Sequence, residues 1–216
     1  MRSEKGKRTK MRQLILASAS ERRARILREA GIEHRVVIAE VEEHDGAGSD
    51  VMKTVVHNAG LKASSVAEKV SGPVVIAADT LVVHDDEIIG KPADENAARD
   101  LLSRFSGTRV DVYTGLCVHD TLTGRRSMGA ERSELYVVDL SVDEKDRFFR
   151  LMAPYDKAGG FSIEGAGALL FDNIRGSYFN ILGLPMIKLR ELFSMIDLEL
   201  LDLIGKRTDT SRNGNG

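Results

Sequence analysis

The spacing of apolar and polar residues changes repeatedly along the chain, which predicts strands that alternate with helices. Residues 14–18 and 74–78 form short unbroken apolar runs, which are typical of strands buried on both faces. Apolar residues at helical spacing over 49–70 predict a long amphipathic helix. The other predicted strands are 35–39, 81–83, 87–89, 109–119, 127–138, 161–164 and 168–171, and the other predicted helices are 20–30, 94–105, 141–151 and 185–203. This order predicts an α/β fold with a mixed sheet.

Composition and charge limit the possible classes of protein. Of the 216 residues, 42% are hydrophobic and 30% are charged, which is typical of a soluble globular protein. A net charge of −2 argues against bulk nucleic-acid binding, and no apolar run reaches the length of a membrane span. The single cysteine, Cys117, fits a reducing cytoplasm. We expect a flexible basic leader over 1–11, one folded domain over 12–205 and a disordered tail over 206–216.

The first chemical signal lies in residues 14–23. Here a short apolar run leads through small residues into a helix with Arg22 and Arg23 in its first turn. The N-terminus of a helix offers free N–H groups and a partial positive charge, and arginine adds donors that suit phosphate oxygens. Ser18 and Glu21 have the spacing of a capping box. The pattern indicates an anion site, and an ordinary strand–loop–helix with solvated arginines fits it equally well.

Four further segments carry residues that suit phosphate chemistry, and each has a simpler interpretation. Asp79 follows the run 74–78, so we expect it at the end of a strand, where it could hold a metal ion or a water, or simply sit in a turn. Lys91 lies on a loop before a helix and could contact phosphate or face the solvent. Paired glycines within 156–165 permit close approach of a ligand to the backbone, but a glycine-rich turn also explains them. Residues 176–185 are most simply a turn, a strand and a helix start.

Taken in order, these segments resemble the Maf family of nucleotide pyrophosphatases over residues 14–192. The shared set is Ala17-Ser18-x-Ser20-x-Arg22-Arg23, Ala78-Asp79-Thr80, Gly90-Lys91-Pro92, Ser106-Gly107, Tyr113-Thr114-Gly115, Asp156-Lys157-Ala158-Gly159 and Gly183-Leu184-Pro185. The resemblance implies a two-lobed α/β fold, a mixed β-sheet with flanking helices that is related to the inosine triphosphatase group, with the active site in the cleft between the lobes. It also implies hydrolysis of a nucleoside triphosphate to the monophosphate and pyrophosphate, with a divalent metal cation, Mg²⁺ or Mn²⁺.

The resemblance also implies roles for individual residues. Asp79 becomes the chief catalytic carboxylate and, together with Glu43, the group that holds the metal and orients the attacking water. Lys91 completes the expected catalytic set. The residues expected to bind the substrate are Ser18, Arg22, Arg23, Lys62, Thr80 and Glu164. Basic side chains and paired carboxylates suit this reaction because cleavage of a phosphoanhydride needs charge neutralisation and an in-line water.

Two departures from the family pattern bear on the substrate. Glu21 stands where most relatives have proline, and it adds negative charge near the expected phosphate site. Glu164 stands where the dTTP/UTP branch has glutamine, whose amide both donates and accepts and so matches uracil or thymine. A carboxylate only accepts, which suits guanine, and the branch that acts on methylated GTP carries glutamate there. Thr80 and Arg22, in contrast, fit the dTTP/UTP branch.

We therefore expect a cytoplasmic homodimer that removes non-standard or surplus nucleoside triphosphates, with a slight preference for dTTP and UTP and with no nucleic-acid or membrane partner. One alternative is a 7-methyl-GTP pyrophosphatase. An alternative of another class is a nucleotide-binding regulator of cell division that needs no catalysis. The intact set of Arg22, Lys62, Asp79 and Lys91 favours an enzyme, because a pure binder has little need of Asp79.

Overall fold

A seven-stranded mixed sheet lies at the centre of the structure, a computed structural model that describes residues 12–46, 50–152 and 158–204. The strands are β1 (Leu14–Leu16), β2 (Arg35–Val36), β3 (Val74–His84), β4 (Glu87–Ile89), β5 (Arg109–Asp120), β6 (Arg126–Val137) and β7 (Phe171–Arg175). Their order is β2-β1-β3-β5-β6-β7, with β4 also paired to β3. Strand β1 runs parallel to β2 and β3, and the other pairs are antiparallel, which confirms the predicted mixed sheet.

Helices flank this sheet, and polar side chains mark where most of them begin. The helices are α1 (Glu21–Glu29), α2 (Val51–Ala67), α3 (Glu95–Phe105), α4 (Val142–Met152), α5 (Tyr178–Ile181) and α6 (Met186–Met195). Ser20, Asp50 and Asp94 accept hydrogen bonds from free N–H groups in the first turns of α1, α2 and α3. Within the described ranges, no helix combines the length and the apolar character needed to cross a membrane.

The two faces of the sheet carry separate apolar cores. Helix α2 covers one face, where Ala59 and Ala63 pack with Ala77 and Cys117. The other face carries the larger core, which includes Leu27, Ala78, Phe105, Leu116, Leu189 and Phe193. Because successive side chains of a strand point to opposite faces, Asp79 shares the α2 face with Ala77. Its neighbour Thr80 points to the other face.

The sheet divides along one edge of β3, and this division creates the cleft described below. Strand β5 occupies the other edge of β3 from residue 74 to residue 83. On the dividing edge, β1 pairs with residues 74–76 and β4 pairs with residues 82–84. Between these two partners, residues 77–81 pair with no strand on that edge within the part of the chain that the structure describes. The gap separates the side that holds β1 and α1 from the side that holds β4 and α3, in agreement with the expected two-lobed arrangement.

Most predicted elements are confirmed, but several predictions about strands and caps are wrong. The predicted strands 74–78 and 81–83 are one strand, so Asp79 lies within β3 and not at a strand end. The reason is the continuous pairing with β5, which leaves no turn at Asp79 and Thr80. The predicted strand 161–164 is not a strand, and the predicted strand 168–171 lies mostly in a 3₁₀ helix, Gly165–Leu170, that precedes β7. The strand predicted within 176–185 is also wrong, because residues 178–181 form α5. In α1, Ser20 and not Ser18 is the cap, and Glu21 pairs with Arg28.

The predicted C-terminal helix 185–203 is also wrong in its length. Helix α6 ends at Met195, and Asp197 adopts a positive φ of 59°, which a continuing helix does not allow. A short 3₁₀ helix, Leu200–Leu203, follows. The expected leader over 1–11 and tail over 206–216 lie outside the described residues, as do Asp156 and Lys157 of the glycine-rich segment.

Candidate functional site

A cleft with a volume of about 960 Å³ opens at the gap in the sheet. Its walls come from the loop and first turn of α1, the β2–α2 loop, and the segments around residues 161–164 and 181–183. Eight of the nine site residues predicted from the sequence line this cleft: Ser18, Arg22, Arg23, Glu43, Lys62, Thr80, Lys91 and Glu164. The ninth, Asp79, is only 5% exposed and lies beneath Lys62.

The ammonium group of Lys62 joins the two carboxylates predicted to do the chemistry. Its Nζ donates to Asp79 Oδ1 at 2.8 Å and to Glu43 Oε2 at 2.7 Å. Glu43 is about half exposed on the cleft side, whereas the Asp79 side chain is buried. Two carboxylates therefore converge on one point, which a positive charge occupies.

Asp79 is held in its charged form although it is buried. Burial alone would raise the pKa of its carboxyl group, because a charge is costly away from water. The charge of Lys62 and the hydrogen bonds from Lys62 and Asn58 outweigh this effect, so the pKa lies below its usual value. Asp79 is therefore ionised at neutral pH and can orient a water or contribute to a cation site.

Close packing of α2 on β5 brings Lys62 over Asp79. In the sheet, Gly115 of β5 stands opposite Asp79 of β3. A Cβ at Gly115 would lie 2.2 Å from the backbone carbon and oxygen of Val55, so only glycine lets α2 approach this closely. Because residues three and four apart share a helix face, Asn58 and Lys62 follow Val55 along the side of α2 that meets the sheet.

Arg23 binds protein groups on three different segments. Its Nε donates to the Gly183 carbonyl at 2.7 Å, and its two terminal nitrogens donate to Ser18 Oγ at 3.0 Å and to Thr80 Oγ1 at 2.9 Å. Burial lowers the pKa of Arg23, and the nearby carboxylates oppose that effect. Three of its five N–H groups are thus engaged, and Ser18 and Thr80, both predicted to bind substrate, contact Arg23.

Arg22, in contrast, pairs with an acidic group across the cleft. Its Nε lies 2.9 Å from Glu164 Oε2, and its Nη2 donates to Ser162 Oγ at 3.3 Å. The other oxygen of Glu164 accepts from Arg25. The carboxylate of Glu164, which the sequence analysis placed near the base, is therefore held between two arginines of α1.

Lys91 lines the cleft and is an exposed cation. It follows Gly90, whose carbonyl accepts from the Gly159 N–H at 3.0 Å and so ties the Lys91 loop to the glycine-rich segment. Within the described ranges its ammonium group contacts no acidic side chain. Lys91 can therefore reach an anion in the cleft without breaking an existing ion pair.

Sequence reasoning assigned no role to three buried polar residues behind the cleft. Thr114 donates to the carbonyl of Asn180 at 3.0 Å, so it accepts from Thr80, whose Oγ1 lies 2.9 Å away. Asn180 also donates to Val112 O and to Ser133 Oγ. Asn58 contacts Asp79 directly. A polar residue on an otherwise apolar helix face was the available signal for Asn58, one turn before Lys62.

The carboxylates of Asp79 and Glu43 are the candidate ligands for a divalent cation. Across the described part of the chain, no group of three or more His, Cys, Asp or Glu side chains could hold a metal ion. Mg²⁺, however, is commonly bound by one or two carboxylates together with substrate phosphates and waters. Asp79 and Glu43 supply two carboxylates that already share one cationic partner, so they fit this kind of substrate-completed site.

A family model and several curated proteins are similar to this chain over most of its length. A family model described as Maf-like protein matches residues 13–196. A Dictyoglomus thermophilum protein named dTTP/UTP pyrophosphatase is 38% identical over 191 residues, which cover 88% of this chain and 99% of the relative. Proteins of the same name from Bacillus cereus and Desulforamulus reducens are 37% identical, and the matches cover 88% of this chain and 98% and 100% of those relatives.

A solved structure is also similar, though more distantly. It is a nucleoside-triphosphatase, or dITP/XTP pyrophosphatase, from Mycobacterium abscessus, with a TM-score of 0.39 and 17% identity. The match covers 58% of this chain and 74% of that chain. A similarity this low bears on neither the fold nor the function.

Proposed function

The chain belongs to the family of Maf-like proteins, and from this premise we propose that it hydrolyses dTTP and UTP to the monophosphate and pyrophosphate. Membership confirms the resemblance inferred from the ordered motifs. The curated relatives named dTTP/UTP pyrophosphatase support this choice of substrate over 7-methyl-GTP. The role that follows is removal of non-standard or surplus nucleotides.

One observation carries the proposal of an enzyme rather than a regulator that only binds nucleotides. Asp79 is a buried, ionised carboxylate beneath the cleft, at 2.8 Å from Lys62, and a binder of phosphate gains nothing from negative charge there. Hydrolysis does benefit from a negative charge at this position, because a carboxylate can orient the attacking water and accept its proton. Asp79 therefore acts as the chief catalytic carboxylate, with Glu43 beside it.

The basic side chains neutralise the phosphate chain. Arg22, Lys62 and Lys91 line the cleft, and each offers N–H donors to phosphate oxygens. Charge neutralisation of this kind is the main contribution a protein makes to phosphoryl chemistry. Arg23, through its bonds to Ser18, Thr80 and the Gly183 carbonyl, holds the first turn of α1 against β3 at the edge of the cleft.

Asp79 and Glu43 would hold a divalent cation, Mg²⁺ or Mn²⁺. The cation would replace part of the contact that these two carboxylates make with Lys62. When bound, such a cation neutralises charge on the phosphate oxygens and makes the bound water more acidic. The chain's own residues set the separation of the two carboxylates and exclude bulk water from Asp79, which is 5% exposed.

The product of the reaction tests the assignment. Incubation with dTTP or UTP is expected to release pyrophosphate and the monophosphate, because the family motifs belong to pyrophosphatases. Ion-exchange chromatography of the nucleotides and a pyrophosphate assay measure both products. Appearance of dTDP or UDP together with orthophosphate would contradict the proposed pyrophosphatase activity. A panel that includes GTP, methylated GTP and deaminated triphosphates ranks the bases in the same assay.

Glu164→Gln is expected to lower KM for every nucleoside triphosphate, by up to about fivefold, with little change in kcat. The amide loses the ion pairs with Arg22 and Arg25, and partly exposed pairs of this kind contribute about 0.2–1 kcal/mol. Arg22 is then recruited more easily by phosphate. Steady-state kinetics on UTP, dTTP, GTP and methylated GTP provide the measurement.

Glu29→Gln is the matched control for this change. Among the described residues Glu29 pairs with Arg25 alone, at 3.6 Å, so its loss should leave KM unchanged. If Glu164→Gln instead reverses the order of preference among the bases at constant KM for the best one, Glu164 reads the base edge, and the ion-pair explanation is wrong.

We also propose that the protein is a cytoplasmic homodimer. The cytoplasm is supported by the single cysteine, which is buried and free, and burial raises the pKa of its thiol to about 12. The dimer is implied by the family resemblance. Sedimentation velocity of the purified protein and fractionation of cells test the two statements separately.

A further inference from the structure

The side chain of Asn58 connects Asp79 with the loop that carries Glu43. Its Nδ2 donates to Asp79 Oδ2 at 3.0 Å and to the carbonyl of His44 at 2.9 Å. Its Oδ1 accepts from the backbone N–H of His44, also at 2.9 Å. One amide thus contacts a carboxylate on β3 and both backbone groups of the residue that follows Glu43.

The buried position of Asn58 on α2 shows why its hydrogen bonds matter. Asn58 is 1% exposed and lies on the helix face that also buries Val55 and Ala59. A polar amide in such a place is destabilising unless its donors and acceptor are paired. Here both N–H groups and the oxygen are paired, and all three bonds lead to Asp79 or His44. Its partners, and not its packing, therefore account for an asparagine on this apolar face.

We propose that Asn58 is a positioning residue that sets the separation between the carboxylates of Asp79 and Glu43. It holds one oxygen of Asp79 directly, and it holds Glu43 through the adjacent peptide of His44. Lys62, four residues later on the same helix, then meets both carboxylates at 2.7–2.8 Å. The inference rests on the proposed function, because there the two carboxylates orient water and hold a cation.

The variant that tests this role is Asn58→Leu, which keeps the size of the side chain and removes all three hydrogen bonds. Substitutions behind the groups that contact a reaction centre typically cost about 10- to 100-fold in activity or metal affinity. We expect kcat on dTTP to fall by about that factor while KM changes less than about threefold. Amide exchange at residues 43–46, followed by mass spectrometry, is expected to accelerate at least tenfold.

Thr54→Val is the matched control. Thr54 lies one turn earlier on the same helix and is also buried, and within the ranges that the structure describes its hydroxyl donates to the Asp50 carbonyl alone. The change removes one buried hydrogen bond from α2 without touching Asp79 or His44. We expect neither kcat nor the exchange of residues 43–46 to change by more than about twofold. Asn58→Ala serves as a second variant, since alanine favours the helix and cannot clash.

The proposal is overturned if Asn58→Leu and Asn58→Ala turn over dTTP within twofold of the wild type. It is equally overturned if Thr54→Val reproduces their loss of kcat, because a general packing defect of α2 would then explain the result. Failure of the proposed function looks different, since the wild-type protein would release no pyrophosphate. The exchange measurement would still decide whether Asn58 holds the His44 peptide.

Discussion

Replacement of Asp79 by asparagine is expected to lower kcat by at least ~10²-fold, the scale of a general base or of a carboxylate that positions a metal. The substitution keeps the shape of the side chain and removes its charge. Lys62 then retains only Glu43 as an ionic partner, and the group that orients the water is lost. Turnover of dTTP and UTP at saturating substrate gives kcat, and a thermal melt reports whether the fold survives.

Asp120→Asn is the control for this experiment. Asp120 is also a buried, ion-paired aspartate of the sheet, and its partner is Arg12. It stands opposite residue 74 of β3, five residues from Asp79, which corresponds to about 17 Å along the strand. The kcat of the Asp120→Asn variant should stay within about twofold of the wild-type value. If Asp79→Asn behaves like Asp120→Asn, the catalytic role moves to Glu43 or to another residue.

Gly115→Ala is expected to destabilise the protein by about 3 kcal/mol or more and to abolish most of the activity of the fraction that folds. The new methyl group would lie 2.2 Å from the backbone of Val55, and backbone cannot move aside like the end of a side chain. Insertion of one carbon into a packed interior typically costs about 1–3 kcal/mol, and this contact is tighter than most. Helix α2 must shift, and Asn58 and Lys62 shift with it.

Gly129→Ala shows whether the effect belongs to the α2 contact. Gly129 lies on β6 and pairs with Leu116, next to Gly115 along β5. A Cβ there meets its nearest side-chain atoms at 3.5 Å, which is ordinary contact. Urea unfolding of both variants measures the free energy of unfolding. Equal losses in the two variants would mean that the loss of glycine in a strand, and not the approach of α2, causes the change.

Local signals were sufficient to predict much of the fold. Apolar spacing and polar caps such as Asp94 predicted the helices, because these effects act within one or two turns. The prediction that Asp79 ends a strand is wrong because its position depends on β5, more than thirty residues later in the chain. The sequence of residues 77–80 alone does not indicate that β3 pairs with β5 at this point.

The contacts within the candidate site could not be predicted from local sequence signals either. The ordered motifs located the residues of the cleft, but they did not show which side chains contact each other. Arg22 and Glu164 are 142 positions apart in the sequence, and their ion pair follows only from the fold. Asn58 was missed because its two partners, His44 on a loop and Asp79 on β3, are brought to it only by the packing of α2.

The unpaired stretch of β3 also fixes how the cleft can respond to a nucleotide. Both sides of the opening are hydrogen-bonded to the same strand, and β5 stiffens that strand along its length. The distance along β3 from Ile76, the last residue paired with β1, to Val82, the first residue paired with β4, is therefore about 20 Å, at about 3.4 Å per residue. Because β1 and β4 are both bonded to this one continuous strand, we expect adaptation to different substrates to come from side chains and loops at the rim of the cleft, and not from a change in this separation.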